Sequence, residues 1–201
     1  MAPGFWGEPL NSVSNLAFLV AAVALWWATR ADRPAIRALP ILIGLIFLGS
    51  VAFHTTATRW GAAADSGFIA VFMLYFTALY THLYWGVPWR RAWLAAPAFA
   101  AFTVLLAVTV GGQSMYVAAL TVLIGLTIAM RVTGRPGWRR FAVASLVFAV
   151  SLTFRTIDGA VCEALPIGTH FLWHLLNATT LYLVSRAALL RAREAREVSA
   201  P

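Results

Sequence analysis

Two histidines four residues apart, in His170-Phe171-Leu172-Trp173-His174, are the sharpest chemical signal in the chain. Helical residues at i and i+4 lie one above the other on a single face. Two imidazoles so placed can hold one metal ion, the logic of the HExxH helix. The glutamate of that motif is absent, which excludes the soluble metalloprotease reading. Taken alone, the pair is a weak signal, equally suited to two interfacial histidines bonded to water. His54, in Gly49-Ser50-Val51-Ala52-Phe53-His54, is expected at the same depth and shifts that balance. His54, His170 and His174 together form a three-imidazole set with one coordination position left open, the ligand pattern of catalytic zinc. Zinc brings the pKa of a bound water to about 7. Asp65 is the expected general base for that water. Ser50, one turn before His54, is the expected donor to the oxyanion that forms when hydroxide attacks a carbonyl. The plain alternative for Asp65 is a helix N-cap.

Two further polar sets flank this one. Glu8, Asn11, Ser12, Ser14 and Asn15 open the first apolar run, with Glu8, Asn11 and Asn15 on one helical face. Helix-start chemistry accounts for Ser12, whereas Asn15 lies more than a turn in and is expected to bond another helix. Arg155 and Asp158 are spaced to pair at i and i+3, and Cys162 reads as a packed thiol. Glu8, His54, Asp65, Asp158, Glu163, His170 and His174 all fall near the same ends of the apolar runs. Ionisable groups at membrane depth are costly and mark function by default. His82 lies at the opposite end of its run and reads as an interfacial residue.

The elements that must position these groups follow from composition. Of 201 residues, 61% are hydrophobic and 11% charged, against roughly 25% charged in soluble domains. Long apolar runs recur along the whole chain, and a spanning helix needs about 20 mostly apolar residues. The pattern predicts a single all-α membrane domain of seven transmembrane helices, at 11–29, 38–57, 64–85, 92–110, 115–132, 139–157 and 167–188. Turns are expected around Gly86-Val87-Pro88, Gly111-Gly112-Gln113-Ser114 and Gly134-Arg135-Pro136-Gly137. The tail from about Arg191 reads as a frayed helix end. The N-terminus lacks the basic stretch of a signal peptide, so the first run is expected to be retained. One cysteine permits no internal disulfide.

All 15 basic residues are arginine, which with the many alanines suggests a GC-rich bacterial genome. With seven spans, thirteen arginines fall on one side: Arg30, Arg33 and Arg37; Arg90 and Arg91; Arg131, Arg135, Arg139 and Arg140; Arg186, Arg191, Arg193 and Arg196. Only Arg59 and Arg155 fall on the other. The positive-inside rule then puts the N-terminus outside, the C-terminus in the cytoplasm, and the histidine set near the outer face of a bacterial inner membrane. The net charge of +8 is explained by topology and anionic lipid, so no nucleic-acid partner is expected. The absence of a clear internal repeat and the almost uniformly apolar fourth and fifth helices weigh against a transporter.

Four segments in order carry a family resemblance: Glu8-Pro9-Leu10-Asn11-Ser12-Val13-Ser14-Asn15; Ser50-Val51-Ala52-Phe53-His54; Asp65; and Asp158-Gly159-Ala160-Val161-Cys162 with His170-Phe171-Leu172-Trp173-His174. The chain thereby resembles the alkaline ceramidases, within the CREST superfamily of seven-helix membrane hydrolases and receptors. The resemblance implies zinc on His54, His170 and His174, with Ser50 and Asp65 around its water. It implies hydrolysis of the amide of ceramide or another N-acyl lipid, and it draws Asn11, Asn15, Asp158 and Trp173 into a supporting role. It also implies a calcium site ahead of the first helix, of which only Glu8 is matched here, since Phe5-Trp6-Gly7 contains no acid. A receptor or sensor of the same fold, with a structural zinc, is the alternative reading.

Overall fold

The computed structural model describes residues 8–198 except Val110, Gly112 and Glu163, with the side chain of Val198 also left out. The expectations on Phe5-Trp6-Gly7, Gly112 and Glu163 therefore lie outside the described residues. The described chain is all helical: α1 (Pro9–Ser14), α2 (Leu16–Thr29), α3 (Pro34–Thr56), α4 (Arg59–Trp85), α5 (Trp89–Ala92), α6 (Ala95–Thr109), α7 (Ser114–Val132), α8 (Trp138–Val161) and α9 (His170–Val198). Six stretches are long and apolar enough to cross a membrane: Pro9–Thr29, Pro34–Thr56, Arg59–Trp85, Trp89–Thr109, Ser114–Val132 and Trp138–Val161. The seventh expected span, α9, has ample length at 29 residues. Its apolar character is diluted by His170, His174 and Asn177 and by the arginines of its second half.

Several boundaries differ from expectation for identifiable reasons. The first helix begins at Pro9, whose fixed φ suits the first helical position, and is interrupted at Asn15. The α3–α4 turn is shorter than expected, because Thr58 accepts the Gly61 N–H through Oγ1 at 3.2 Å and so starts α4 at Arg59. Asp65 therefore lies in the second turn of α4, and the N-cap alternative is excluded. Helix α8 continues four residues beyond its expected end. Helix α9 begins at His170 rather than 167 and runs to Val198. The expected frayed tail is helical, with Arg191 Nε donating to the Leu83 carbonyl at 3.3 Å.

The chain forms two compact units, Met1–Ile69 with Leu146–Tyr182, and Ala70–Ser145 with Leu183–Pro201. In the first, α2 packs on α3. Phe18, Ala21, Ala22 and Leu25 bury one stripe of α2 at the helical spacing. On α3 the buried stripe of Ile36, Leu39, Ile43 and Ile46 continues through Ser50 to His54. The apolar core thus becomes polar over the last two turns of one helix face. Gly49 lies at the same level, and a Cβ there would come within 2.8 Å of the Ala64 carbonyl and of Phe68 Cδ2. The backbones of α3 and α4 approach closely at this point, bringing the next residues in sequence, Ser50 and Asp65, together.

In the second unit α6 packs on α7. Tyr84 donates through its hydroxyl to the Ala187 carbonyl at 2.9 Å and meets Phe141 edge-on. Outward faces of both units remain apolar, with Val20, Ile41, Leu48, Val104, Val108 and Ile128 all exposed. Exposed large apolar side chains in these numbers on each unit suit lipid rather than water. Exposed threonines do not interrupt it: Thr109, Thr121, Thr133, Thr153 and Thr179 each donate to the carbonyl four residues earlier. That bond removes the hydroxyl proton from the lipid face. Arginine side chains at the helix ends lie over tryptophans, Arg30 on Trp27, Arg37 on Trp26 and Arg135 on Trp85, an arrangement suited to the headgroup layer.

The close approach at Gly49 predicts that Gly49→Ala forces α3 from α4 and destabilises the fold by about 1–3 kcal/mol. Gly44→Ala, on the same helix with open space around it, should leave the unfolding midpoint unchanged or raised. Thermal unfolding of the two variants in detergent makes the comparison.

Candidate metal centre

The first turn of α9 is fixed by α8. One oxygen of Asp158, Oδ1, accepts the N–H groups of Thr169 at 2.6 Å and His170 at 2.9 Å, capping two of the unpaired donors of the helix start. Thr169 Oγ1 donates to the Phe154 carbonyl at 2.6 Å, and Ser151 Oγ to the Trp173 carbonyl at 3.1 Å. Gly168 precedes the cap at φ +62°, and a Cβ there would collide with Asp158 Oδ1. These bonds set the rotation of α9 about its axis, and hence where His170 and His174 point. The expectation for Asp158 was an ion pair with Arg155; the structure gives it this capping task, while the Arg155 guanidinium lies over the Trp173 ring, 5.0 Å from its centroid. Trp173 is itself buried and stands 6.1 Å from Phe148.

The three histidines do converge. Ring centroids are 4.7 Å apart for His170 and His174, 4.8 Å for His54 and His174, and 5.3 Å for His54 and His170. One nitrogen from each lies within 4.8 Å of the others, close enough to share a metal ion. His54 and His174 are buried, and the His170 side chain is 15% exposed.

The remaining ring nitrogens explain the polar set at the chain's start. Glu8 Oε2 lies 3.0 Å from His54 Nδ1 and accepts from Asn11 Nδ2 at 3.0 Å. Burial raises the Glu8 pKa, but the hydrogen bonds from Asn11 and His54 outweigh it and hold the carboxyl below its usual value. An ionised carboxylate only accepts, so Nδ1 of His54 carries a proton, and in the neutral ring the lone pair falls on Nε2. That Nε2 is buried with no hydrogen-bond partner. Ser14 Oγ donates to the Asn11 carbonyl at 3.1 Å and lies 2.8 Å from His174 Nδ1. With its proton so directed, Ser14 accepts from Nδ1–H and again leaves Nε2 bare. His170 Nδ1 is 4.0 Å from Asp158 Oδ2. An outer partner on the second nitrogen is the usual companion of a metal-ligating histidine. The donor set and the orphaned Nε2 of His54 therefore fit a metal such as zinc.

Asp65 and Ser50 stand beside this cluster. Both are buried. The Ser50 side chain hydrogen-bonds Asp65, and His54 and Arg155 are the charged or chargeable neighbours of that carboxylate. A cavity of about 250 Å³ is lined by Glu8, Asn11, Asp158 and Cys162 among others, the residues around the outer partners of the histidines rather than the histidines themselves.

Other expectations fare differently. Asn15 is fully buried, but its Nδ2 donates within its own helix, to the Asn11 carbonyl at 2.8 Å, rather than to another helix. Cys162 is exposed, not packed, because the chain leaves α8 there; its Sγ lies 3.1 Å from the Asp158 carbonyl. His82 stacks on Trp89 at 4.5 Å with Nδ1 2.8 Å from the Val87 carbonyl, as suits an interfacial residue. Glu8, the one residue matched to a calcium site, spends Oε2 on His54 and Asn11.

Ser14, Ser151, Thr169 and Asn177 had been given no role in the site. Asn177 is buried with Nδ2 unpartnered, and it shares the face of His170 and His174 by spacing alone, a signal the sequence did contain. Comparison of the chain with protein-family models and with curated proteins gives no match.

Because Glu8 makes no capping bond through its side chain, Glu8→Ala should leave the fold intact while loosening His54. Removing such an outer partner costs roughly 10–100-fold in metal affinity. Titration against a competing chelator should show that loss with an unchanged helical signal.

Proposed function

We propose that this protein is a zinc-dependent membrane hydrolase that cleaves the amide of an N-acyl lipid. The observation that carries the reading is the buried, unpartnered Nε2 of His54 within reach of two further imidazoles, with an Asp–Ser pair alongside. Zinc held by His54, His170 and His174 would supply Lewis-acid polarisation and an acidified water at neutral pH. The chain's own groups supply the rest. The Asp65 carboxylate takes the proton of the attacking water and returns it to the amine nitrogen as the C–N bond breaks. Ser50 orients that carboxylate through its single hydroxyl proton, and once Asp65 has taken the proton of the water that hydroxyl is released to donate to the developing oxyanion. Asp65 is buried, where a proton moved over a short distance meets little competing water.

The lipid substrate follows from where the site lies. The exposed apolar faces support a multi-pass membrane protein, and the arginine distribution supports seven spans, an outside N-terminus, a cytoplasmic C-terminus and a site near the outer face of a bacterial inner membrane. In this reading α9 is the seventh span, and two of the residues that lower its apolarity, His170 and His174, are the zinc ligands it carries. The four segments that resemble alkaline ceramidases hold the residues that meet at the cluster, which supports ceramide or a related N-acyl lipid as substrate.

Metal analysis of the purified protein should find about one zinc per chain. His174→Ala should lose both metal and turnover; full zinc and full activity in that variant would end the proposal. Asp65→Asn should keep its zinc and lose activity by roughly 10²-fold or more on a panel of labelled N-acyl lipids. Undiminished turnover there would remove Asp65 as the base.

A further inference from the structure

We propose that the turn between α7 and α8 binds the phosphate of an anionic phospholipid headgroup. Helix α7 ends at Val132 and α8 begins at Trp138, and each is the end of a stretch apolar enough to cross a membrane. The turn therefore falls at the depth of lipid headgroups. A cavity of about 370 Å³ opens there, lined by Gly134, Arg135, Pro136, Gly137, Trp138, Arg139 and Arg140.

Its charge is one-sided. Arg131, in the last turn of α7, and Arg139, in the first turn of α8, lie over the same Trp138 ring, at 5.2 and 5.6 Å from its centroid. The indole is an uncharged partner to both guanidinium groups and neutralises neither. Arg135 is held between the Trp85 ring at 4.1 Å and the Tyr84 carbonyl, to which its Nη1 donates, and its Nε is buried without a partner. Only Arg140 has a carboxylate, Glu194 at 3.4 Å. Among the described residues no acid pairs with Arg131, Arg135 or Arg139. Three fixed guanidinium groups with open donors match a phosphate, which accepts through several oxygens at once.

The surface next to the turn selects a lipid over free phosphate. Ile128 and Ile124 lie three and seven residues before Arg131, and Val143 four residues after Arg139, so each arginine tops an apolar helical row. All three apolar side chains are exposed. A headgroup phosphate at the guanidinium groups would lay its acyl chains along these rows. Basic pockets at the cytoplasmic ends of membrane helices bind anionic headgroups in this way.

The test compares thermal unfolding of the full chain in a neutral maltoside detergent with phosphatidylglycerol, with phosphatidylcholine of the same acyl chains, and with inorganic phosphate. Phosphatidylglycerol should raise the midpoint by on the order of 5 °C, and the other two should not. The double variant R131Q/R139Q should lose most of that rise, and R131K/R139K should keep the larger part of it. Phosphorus analysis of the washed wild-type protein should find phosphatidylglycerol retained, so the proposal stays testable if the glutamine variant folds poorly. An equal rise with inorganic phosphate, an equal rise with phosphatidylcholine, or an undiminished rise in R131Q/R139Q would overturn it.

Discussion

A neutral imidazole carries one N–H and one lone pair, and burial away from water leaves neither unanswered without a cost of about 1–3 kcal/mol. The chain buries His54 and His174 and half-buries His170 among apolar helices. Each Nδ1 then has an oxygen near it, from Glu8, Ser14 and Asp158 respectively. Those oxygens come from the residue before α1, the last residue of α1 and the end of α8, which is why segments far apart in sequence must meet at one point. Once Nδ1 is engaged, the tautomer is set, and the lone pairs of His54 and His174 are left on Nε2. The polar residues around the cluster are thus consequences of one requirement, the satisfaction of buried rings.

The close approach of α3 and α4 serves the same end from the other side. Gly49 removes the side chain that would keep the two backbones apart, and its neighbour Ser50 reaches Asp65 as a result. Helix α9 is oriented separately, by Asp158 and by the bonds from Ser151 and Thr169. Asp158 joins two tasks in one carboxylate: Oδ1 caps the helix and Oδ2 faces His170. A change at Asp158 therefore acts on helix orientation and on His170 together, which distinguishes it from Glu8, whose side chain touches the site alone.

Much of this was legible in the sequence. The apolar runs gave all-helical structure because a membrane leaves the backbone no alternative within a single segment. His170 and His174 could be paired because helical spacing alone puts them on one face. His54 and Asp65 were harder, since their meeting depends on the α3–α4 crossing, and the sequence shows a glycine at position 49 without showing what it faces. Ser14 was visible but unassigned: nothing local distinguishes a serine that caps its own helix from one that receives an imidazole N–H from a residue 160 positions away. Asp158 was misread because i and i+3 spacing suggests a partner in the same helix, whereas the unpaired N–H groups at the start of α9 made the stronger demand. Asn15 was misread in the opposite sense, its amide nitrogen donating to the carbonyl one turn back while its Oδ1 has no partner.

Helix α9 also has a consequence for how the protein is made. Within the proposed seven-span topology it leaves the ribosome after the other six spans. It is also the one least able to partition into lipid by itself, because His170, His174 and Asn177 lie on one face and each resists transfer to hydrocarbon. Every group that engages those histidines lies earlier in the chain, so Ser14, Glu8, His54 and Asp158 are already in the membrane when α9 emerges. Its insertion is then coupled to their presence rather than governed by its own hydrophobicity. The histidine cluster therefore assembles only on a chain whose earlier helices have inserted correctly, and an incorrectly threaded chain is left with a seventh helix that has no stable place in the bilayer.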